Sequence, residues 1–378
     1  MERSIEAQVQ EFKELLCRQL EREERIKSAK PGDSFLKRKP LQIGLVPGDG
    51  IGPAIFASAK AVLEKLLAEK ILSGEIVLKE ISGLTIENRM RHMEAVPKEM
   101  LDEILTCPVL LKGPTTTPHG GILESANVFL RRTLDLYANI RPVRVPSEAI
   151  DWCFFRENTE GEYALGSQGI MFGNTLAVDF KVTTEAGSER IARAAFRYAR
   201  ANRKTRVTVI TKANVIKKTD GLFSAAAHRV AKEYPEIECD DYYIDIMTAN
   251  LLNPQIRSGF QVMLLPNLYG DILTDEAAEI QGGVGTAGSA NIGDHYAMFE
   301  AIHGSAPRMF EEGRQKYADP SSILCASAML LSHIGEQEAA DRLERALAEC
   351  RRSDSVRVTG YSDGSTTEAF TRALLQRL

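Results

Sequence analysis

The stretch Leu41-Gln42-Ile43-Gly44-Leu45-Val46-Pro47-Gly48-Asp49-Gly50-Ile51-Gly52-Pro53 decides the fold class. An apolar run, Ile43 to Val46, feeds a glycine turn, and a helical pattern follows from about Ala54 to Lys70. Strand, tight turn and helix in that order announce an α/β chain. The glycines stand at 48, 50 and 52, which is not the GxGxxG spacing of a dinucleotide fingerprint, so a Rossmann reading fails. A tight turn at the carboxyl end of a strand is still where open α/β sheets place ligands.

Outward from this unit, further strands are expected at Ile76–Glu80, Val109–Lys112, Trp152–Arg156, Arg206–Thr211 and Gln261–Pro266. Helices are expected at Thr184–Ala201 and Gly221–Glu233. Alternation through residues 160–182 suggests an antiparallel excursion. Before the first strand, Ile5, Val9, Phe12, Leu16 and Leu20 recur at helical spacing, until Lys30-Pro31-Gly32-Asp33 breaks the pattern. That helix reads as an appended surface or dimer-contact element, with a regulatory arm as the sharper alternative.

The chain has 378 residues, enough for two domains, with 44% apolar and 26% charged residues and a net charge of −5. This balance argues against nucleic acid as a partner. No apolar run approaches the ~18 residues of a membrane span. Cys17, Cys107, Cys153, Cys239, Cys325 and Cys350 form no CxxC pair and read as small buried hydrophobes in a reducing compartment. No targeting peptide is evident, so a cytoplasmic location is the expectation.

Four polar clusters carry chemistry. The loop Lys112-Gly113-Pro114-Thr115-Thr116-Thr117-Pro118-His119-Gly120-Gly121 is followed by Ser125, Asn127 and Arg131, then Arg141 and Arg156. Three guanidinium groups near hydroxyl and amide donors suit a ligand bearing several carboxylates, unless they pair with internal acids. The second cluster is acidic: Asp245, with Asp271 and Asp275 one helical turn apart if a helix begins near Gly270. All-oxygen ligation suits Mg²⁺ or Mn²⁺, although aspartates at a helix start can instead serve the dipole. Tyr163 and Lys212 form an acid/base pair, and a lysine just past an apolar strand can have its pKa lowered by burial and nearby cations. The last cluster is two glycine-rich loops, Gly282–Asn291 and His303-Gly304-Ser305-Ala306-Pro307, which let backbone amides approach a phosphate or a flat ring.

In this order the segments resemble the β-decarboxylating dehydrogenases, the family of isocitrate, homoisocitrate, 3-isopropylmalate and tartrate dehydrogenases. The early Gly-Asp-Gly-Ile-Gly-Pro, the run Leu134–Pro142 (LDLYANIRP) and Pro266–Asp275 (PNLYGDILTD) carry the resemblance, which extends from about residue 41 to the C-terminus. It implies the isocitrate/isopropylmalate dehydrogenase-like non-Rossmann α/β fold. A large cofactor-binding domain would come from residues 39–136 and 282–378, and a smaller dimerisation domain from 137–281, with 1–38 as a helical extension. It also implies a homodimer with shared active sites, Lys212 and Asp245 being lent by the partner chain.

The same resemblance assigns roles. Ser125-Ala126-Asn127 matches the isocitrate branch, where a serine and an asparagine hold a third carboxylate; apolar leucines stand there in the isopropylmalate branch. Thr117, Ser125, Asn127, Arg131, Arg141 and Arg156 would bind a small tricarboxylate. Asp245, Asp271 and Asp275 would hold Mg²⁺ or Mn²⁺, Lys212 would help deprotonate the 2-hydroxyl, and Tyr163 would protonate C3 after loss of CO₂. Thr116, Asn214, Gly285, His303, Gly304, Ser305, Ala306, Pro307, Arg308 and Asp319 would line the cofactor. Arg308-Met309 matches neither the aspartate of NAD-using members nor the Lys-Tyr of NADP-using ones. The tail Val358–Thr367 resembles the NAD branch and lacks the tyrosine–arginine pair that supports a 2′-phosphate, so NAD is expected, with NADP as the alternative. The implied activity is oxidative decarboxylation of isocitrate to 2-oxoglutarate, a tricarboxylic acid cycle reaction. The alternatives are homoisocitrate or 3-isopropylmalate oxidation, or a regulatory subunit of a hetero-oligomeric isocitrate dehydrogenase.

Overall fold

The computed structural model describes residues 5–29, 35–118, 123–165, 168–172 and 175–378. The helix breaker at 30–33 and the His119-Gly120-Gly121 end of the hydroxyl loop lie outside the described residues. Twelve strands are present among the described residues: β1 (Leu41–Val46), β2 (Ile76–Glu80), β3 (Val109–Lys112), β4 (Ala138–Val145), β5 (Ile150–Glu157), β6 (Ile170–Phe172), β7 (Leu176–Val178), β8 (Arg206–Thr211), β9 (Glu238–Tyr243), β10 (Val262–Leu265), β11 (Gly288–Ile292) and β12 (Ala297–Ala301). The chain divides into two compact units. The central unit comprises residues 1–31, 137–139 and 144–274; the terminal unit comprises 32–136, 140–143 and 275–378.

In the terminal unit the strand order is β2-β1-β3-β12-β11, with β1 parallel to β2 and β3, β12 parallel to β3, and only β11 antiparallel. Such strands are buried on both faces, which explains the unbroken apolar reading of Val109–Leu111. On one face Ile43, Leu45, Leu111 and Phe299 join a core with the helices Gly52–Leu66, Ser321–His333 and Gln337–Arg352. On the other, Val46, Leu110 and Met298 pack with Ile104, Ala126, Leu130 and Leu134. The glycine turn ends β1 as expected: Gly48 and Gly50 have φ of +76° and +60°, and a Cβ would stand 2.1 Å from the Pro114 or the Ser305 carbonyl oxygen. Only glycine permits that approach.

In the central unit β5-β10-β8-β9 are parallel neighbours. Trp152, Phe154, Phe155, Val207, Val209 and Leu264 form the interior with Ile191, Phe196 and Phe223 of the flanking helices. The antiparallel excursion is the hairpin β6–β7. Strand β9, with the sequence Glu-Cys-Asp-Asp-Tyr-Tyr, escaped the sequence reading because a half-exposed edge strand has no apolar run. The N-terminal helix, Ile5–Ser28, belongs to this unit. Its repeat of Ile5, Val9, Leu16 and Leu20 is exposed, whereas Gln8 and Leu15 are buried. The docking face is set instead by these two, by Phe12, stacked on Phe180 at 5.0 Å, and by Arg22.

One smaller expectation is also corrected. Cys17 is exposed and Cys239 and Cys325 are half-buried, so only Cys107, Cys153 and Cys350 fit the buried reading; all six are free. Cys17 lies on the helix face that the fold leaves open. No helix among the described residues is long and apolar enough to cross a membrane.

Candidate active site

In the terminal unit three loops converge. Asp49, in the first glycine turn, accepts from the amides of Ile86 and Thr116, both at 2.7 Å. Thr116 and Ser305 share a hydroxyl–hydroxyl hydrogen bond of 2.7 Å, and the Ile51 amide donates to the Ser305 carbonyl. Arg89, fully buried, ties the region together by donating to the carbonyls of Ala95, Thr116 and Glu124. Thr116 and Ser305 were anticipated; Asp49 and Arg89 act through them and were not.

Beside this junction the helix Ala126–Thr133 carries Asn127 and Arg131 one turn apart. Asn127 Oδ1 accepts from Thr115 Oγ1 at 3.0 Å. Ser125 occupies the N-cap position without a side-chain capping bond, and Thr117 is exposed. Arg131 does have an internal acid: Nη2 lies 2.7 Å from Glu300 Oε1, with Lys112 Nζ 3.7 Å from the other carboxylate oxygen and Asn291 Nδ2 at 2.8 Å. Although burial opposes its charge, Arg131 and then Lys112 hold the Glu300 carboxyl down to about 2. Lys112 has one carboxylate to share with a competing guanidinium, so burial prevails and lowers its ammonium to about 8. A charged residue inside Ala-Met-Phe-Glu-Ala was the available sequence signal for Glu300.

Arg141, 6% exposed, donates from Nη1 to Asp275 Oδ1 at 2.9 Å. In the central unit Arg156, 1% exposed, sends Nε and Nη2 to Asn267 Oδ1 at 2.9 and 2.6 Å and pairs through Nη1 with Asp271. The other oxygen of Asp271 accepts from the Tyr163 hydroxyl at 2.8 Å. The Arg156 guanidinium stands over the Tyr163 ring at 5.3 Å. Gly270 makes room for this: a Cβ there would lie 2.5 Å from Arg156 Cγ. All three arginines therefore pair with acids within the chain, the alternative that the residues left open.

The helix bearing Asp271 and Asp275 spans Asn267–Gln281 and begins three residues before Gly270. Neither aspartate is in the first turn, which weakens the dipole reading, because that effect is confined to the terminal turn. Their carboxylates are 39% and 61% exposed, one turn apart, and purely oxygen donors, which fits a hard divalent cation. Among the described residues no three His, Cys, Asp or Glu side chains gather into a possible metal group, so Asp245 does not complete that set within one chain. Asp245 meets Lys212 Nζ at 2.6 Å instead, and this bond is the first cause of its lowered pKa. The Lys212 amide is fixed by buried Asp220, whose second oxygen holds Lys181 at 2.6 Å.

The remaining cofactor candidates are exposed or half-exposed. Asn214, Gly304, Pro307 and Arg308 are exposed, Gly285 and His303 are half-buried, and Asp319 caps the Ser321 amide at 2.8 Å. His303 Nδ1 lies 2.9 Å from the Gly304 carbonyl, and Ala306 is left-handed with φ +47°. Arg308, 88% exposed, bonds Glu312 at 2.9 Å, and Arg314 reaches the same carboxylate at 2.6 Å. Arg314 also lies 4.2 Å from the Tyr361 ring centre. The tail was expected to lack the tyrosine–arginine pair that supports a 2′-phosphate; Tyr361 of the tail instead meets Arg314, far apart in sequence and therefore not visible to motif spacing.

Residues 42–374 match the family model described as isocitrate/isopropylmalate dehydrogenase. The chain belongs to that family. It is 40% identical over 318 residues to the isocitrate dehydrogenase [NADP] of Rickettsia prowazekii, a match covering 80% of this chain and 62% of that protein. The chain thus spans less than two thirds of that relative. It is equally 40% identical over 319 residues to the 3-isopropylmalate/3-methylmalate dehydrogenase of Methanocaldococcus jannaschii, covering 82% and 90% of the two chains. The crystal structure of isocitrate dehydrogenase from Methylococcus capsulatus superposes with a TM-score of 0.79 at 38% identity, covering 89% of this chain and 98% of that one. The fold is that of the isocitrate/isopropylmalate dehydrogenases, as the resemblance implied.

Proposed function

We propose that the protein oxidatively decarboxylates isocitrate to 2-oxoglutarate as a homodimer. The observation that carries this reading is the junction at Asp271, where the Tyr163 hydroxyl, the Arg156 guanidinium and an exposed carboxylate meet. Arg131, Arg141 and Arg156 would bind substrate carboxylates; the last two can do so by releasing exposed aspartates. Ser125 and Asn127 supply donors for a third carboxylate, donors that an isopropyl group would leave unpaired.

Asp271 and Asp275, with Asp245 of the partner chain, would hold Mg²⁺ or Mn²⁺, which supplies Lewis-acid stabilisation of negative charge on the substrate oxygens. Lys212 of the partner chain takes the proton of the 2-hydroxyl, directly or through a water, as hydride leaves C2. Tyr163 holds the proton that C3 receives after CO₂ departs, and its bond to Asp271 orients the hydroxyl meanwhile.

Thr116, Ser305 and the loop to Arg308 would receive the nicotinamide dinucleotide, which accepts the hydride. NAD is the favoured carrier, because the Glu312 carboxylate engages Arg308 and opposes a 2′-phosphate. NADP is the second reading, favoured by Arg314 and Tyr361 beside it. The test is reduced-cofactor absorbance with isocitrate, homoisocitrate and 3-isopropylmalate, each with NAD and NADP in the presence of Mg²⁺. Turnover of isocitrate alone supports the reading; a preference for 3-isopropylmalate removes Ser125 and Asn127 as specificity residues. Silence with all three acids would revive the regulatory-subunit alternative.

A further inference from the structure

The N-terminal helix ends against the segment that carries Arg156 and Tyr163. Arg22 Nη1 lies 2.6 Å from Glu160 Oε1, and its Nη2 donates to Thr159 Oγ1 at 2.9 Å. Glu160 is 2% exposed and also accepts from the Thr184 amide at 2.8 Å and from the Thr184 hydroxyl at 2.5 Å. Gly187 leaves room for it, since a Cβ there would stand 2.3 Å from Glu160 Oε1. Glu157, also 2% exposed, accepts from the amides of Thr159 and Glu160 and from Thr159 Oγ1, closing a tight turn. Two carboxylates are thus buried three residues apart. The cations facing them are Arg22 from the N-terminal helix and Arg190 from the helix Glu185–Ala201, which donates to Thr159 Oγ1 at 3.0 Å.

This knot is joined to the reacting groups by a short relay. The Glu160 carbonyl accepts from Asn267 Nδ2 at 2.9 Å, and Asn267 Oδ1 receives both Nε and Nη2 of Arg156. Tyr163 follows Glu160 by three residues and bonds the Asp271 that Arg156 also holds.

We infer that the N-terminal helix is a clamp on the 156–163 segment, with Arg22 as a positioning residue that neutralises the buried Glu157–Glu160 pair and so holds Arg156 and Tyr163 in register. The helix is therefore part of the machinery rather than an appendage; its role as a positioning element rests on the reaction proposed above. Burial, followed by the neighbouring Glu160, pushes Glu157 up to about 7, with the Thr159 hydroxyl first and then Arg22 and Arg190 opposing the rise. Loss of Arg22 raises it further, so the turn loses its ionised acceptor at a higher pH.

The test compares Arg22→Gln, Arg22→Lys and Phe12→Ala with the parent full-length chain. In Arg22→Gln the acidic limb of kcat/KM for isocitrate moves up by about one pH unit, a loss of roughly tenfold near neutrality that recovers above the shifted limb. Arg22→Lys, which keeps a cation, shifts the limb by less than half as much and serves in its place if the glutamine variant does not fold. Phe12→Ala loosens helix docking without removing a charge, so it lowers thermal stability at every pH and moves the limb less than Arg22→Gln does.

Stability provides a readout independent of turnover. A carboxyl whose folded pKa is raised contributes stability that is full below its unfolded pKa and is lost as pH rises through the folded value. Arg22 limits that loss, so the gap in Tm between parent and Arg22→Gln widens from pH 5 to pH 9. A gap that stays constant, with an unmoved acidic limb, overturns the clamp and leaves Arg22 a packing contact. If the parent turns over no isocitrate, the proposed reaction fails by itself. The Tm gap then decides whether Arg22 neutralises the buried pair: widening upholds that, constancy overturns it.

Discussion

Arg131 and Arg156 were expected to do the same thing, yet each keeps a different kind of company. Arg131 is paired with Glu300, whose side chain is 6% exposed and enclosed with Lys112 and Asn291. Arg156 is paired with Asp271, whose side chain is 39% exposed and shared with Tyr163. An acid sealed among cations is a permanent counter-charge, because removing it leaves buried like charges without compensation. An exposed acid can exchange its guanidinium for another ligand at small cost. The same residue type thus rests on a sealed acid in one unit and on an open one, at the proposed site, in the other. Arg131 can belong to both, since one guanidinium offers five donors.

The comparison breaks first at Glu300. Glu300→Gln should destabilise the fold by about 3–5 kcal/mol, measured by chemical denaturation, because Lys112 and Arg131 lose their shared anion. The pH dependence follows the same sign. A carboxyl held down to about 2 contributes stability that is present above its unfolded pKa and lost as pH falls through the folded value. The parent should therefore lose stability between about pH 4.5 and 2 along a slope that the variant flattens. A variant as stable as the parent would mean that the two cations find other anions.

Tyr163→Phe should leave the substrate Kd nearly unchanged while kcat falls about a hundredfold, as expected for loss of a general acid. Near-normal kcat would take Tyr163 out of that role. Gly270→Ala sharpens the description of the Arg156 pocket. Its new methyl meets the arginine stem, so about 1–3 kcal/mol of stability should be lost together with a raised KM. The smallest effect is expected at Asp275→Asn: less than about 1 kcal/mol in stability, since the carboxylate is 61% exposed, but a marked rise in the Mg²⁺ needed for activity. A large stability loss there would make Asp275 a partner like Glu300.

The glycine turn at 48–52, the apolar runs of β1, β3, β8 and β10, and the acid pair one turn apart were all legible, because each depends on neighbours within a few residues. What escaped were partners brought from elsewhere in the chain. Asn267 under Arg156, Asp220 under Lys212 and Tyr361 beside Arg314 have no local pattern that names their targets. The N-terminal helix is the clearest case. Its 3.6-residue period was readable, but most of the apolar stripe that defines the period points outward, and buried Gln8 and Leu15, with Phe12 on Phe180 and Arg22 on Glu160, set its docking.

The sequence by itself determined the α/β class, the family motifs and the residue types that would suit a polycarboxylate and a divalent cation, because backbone preference and short-range spacing are encoded locally. Only the tertiary structure decided which arginine rests on a sealed acid and which on an open one, and that Arg22 reaches the buried Glu157–Glu160 turn. Those outcomes depend on burial, and burial is a property of the packed chain: the same carboxylate is nearly free of consequence in water and dominates its surroundings once water is excluded.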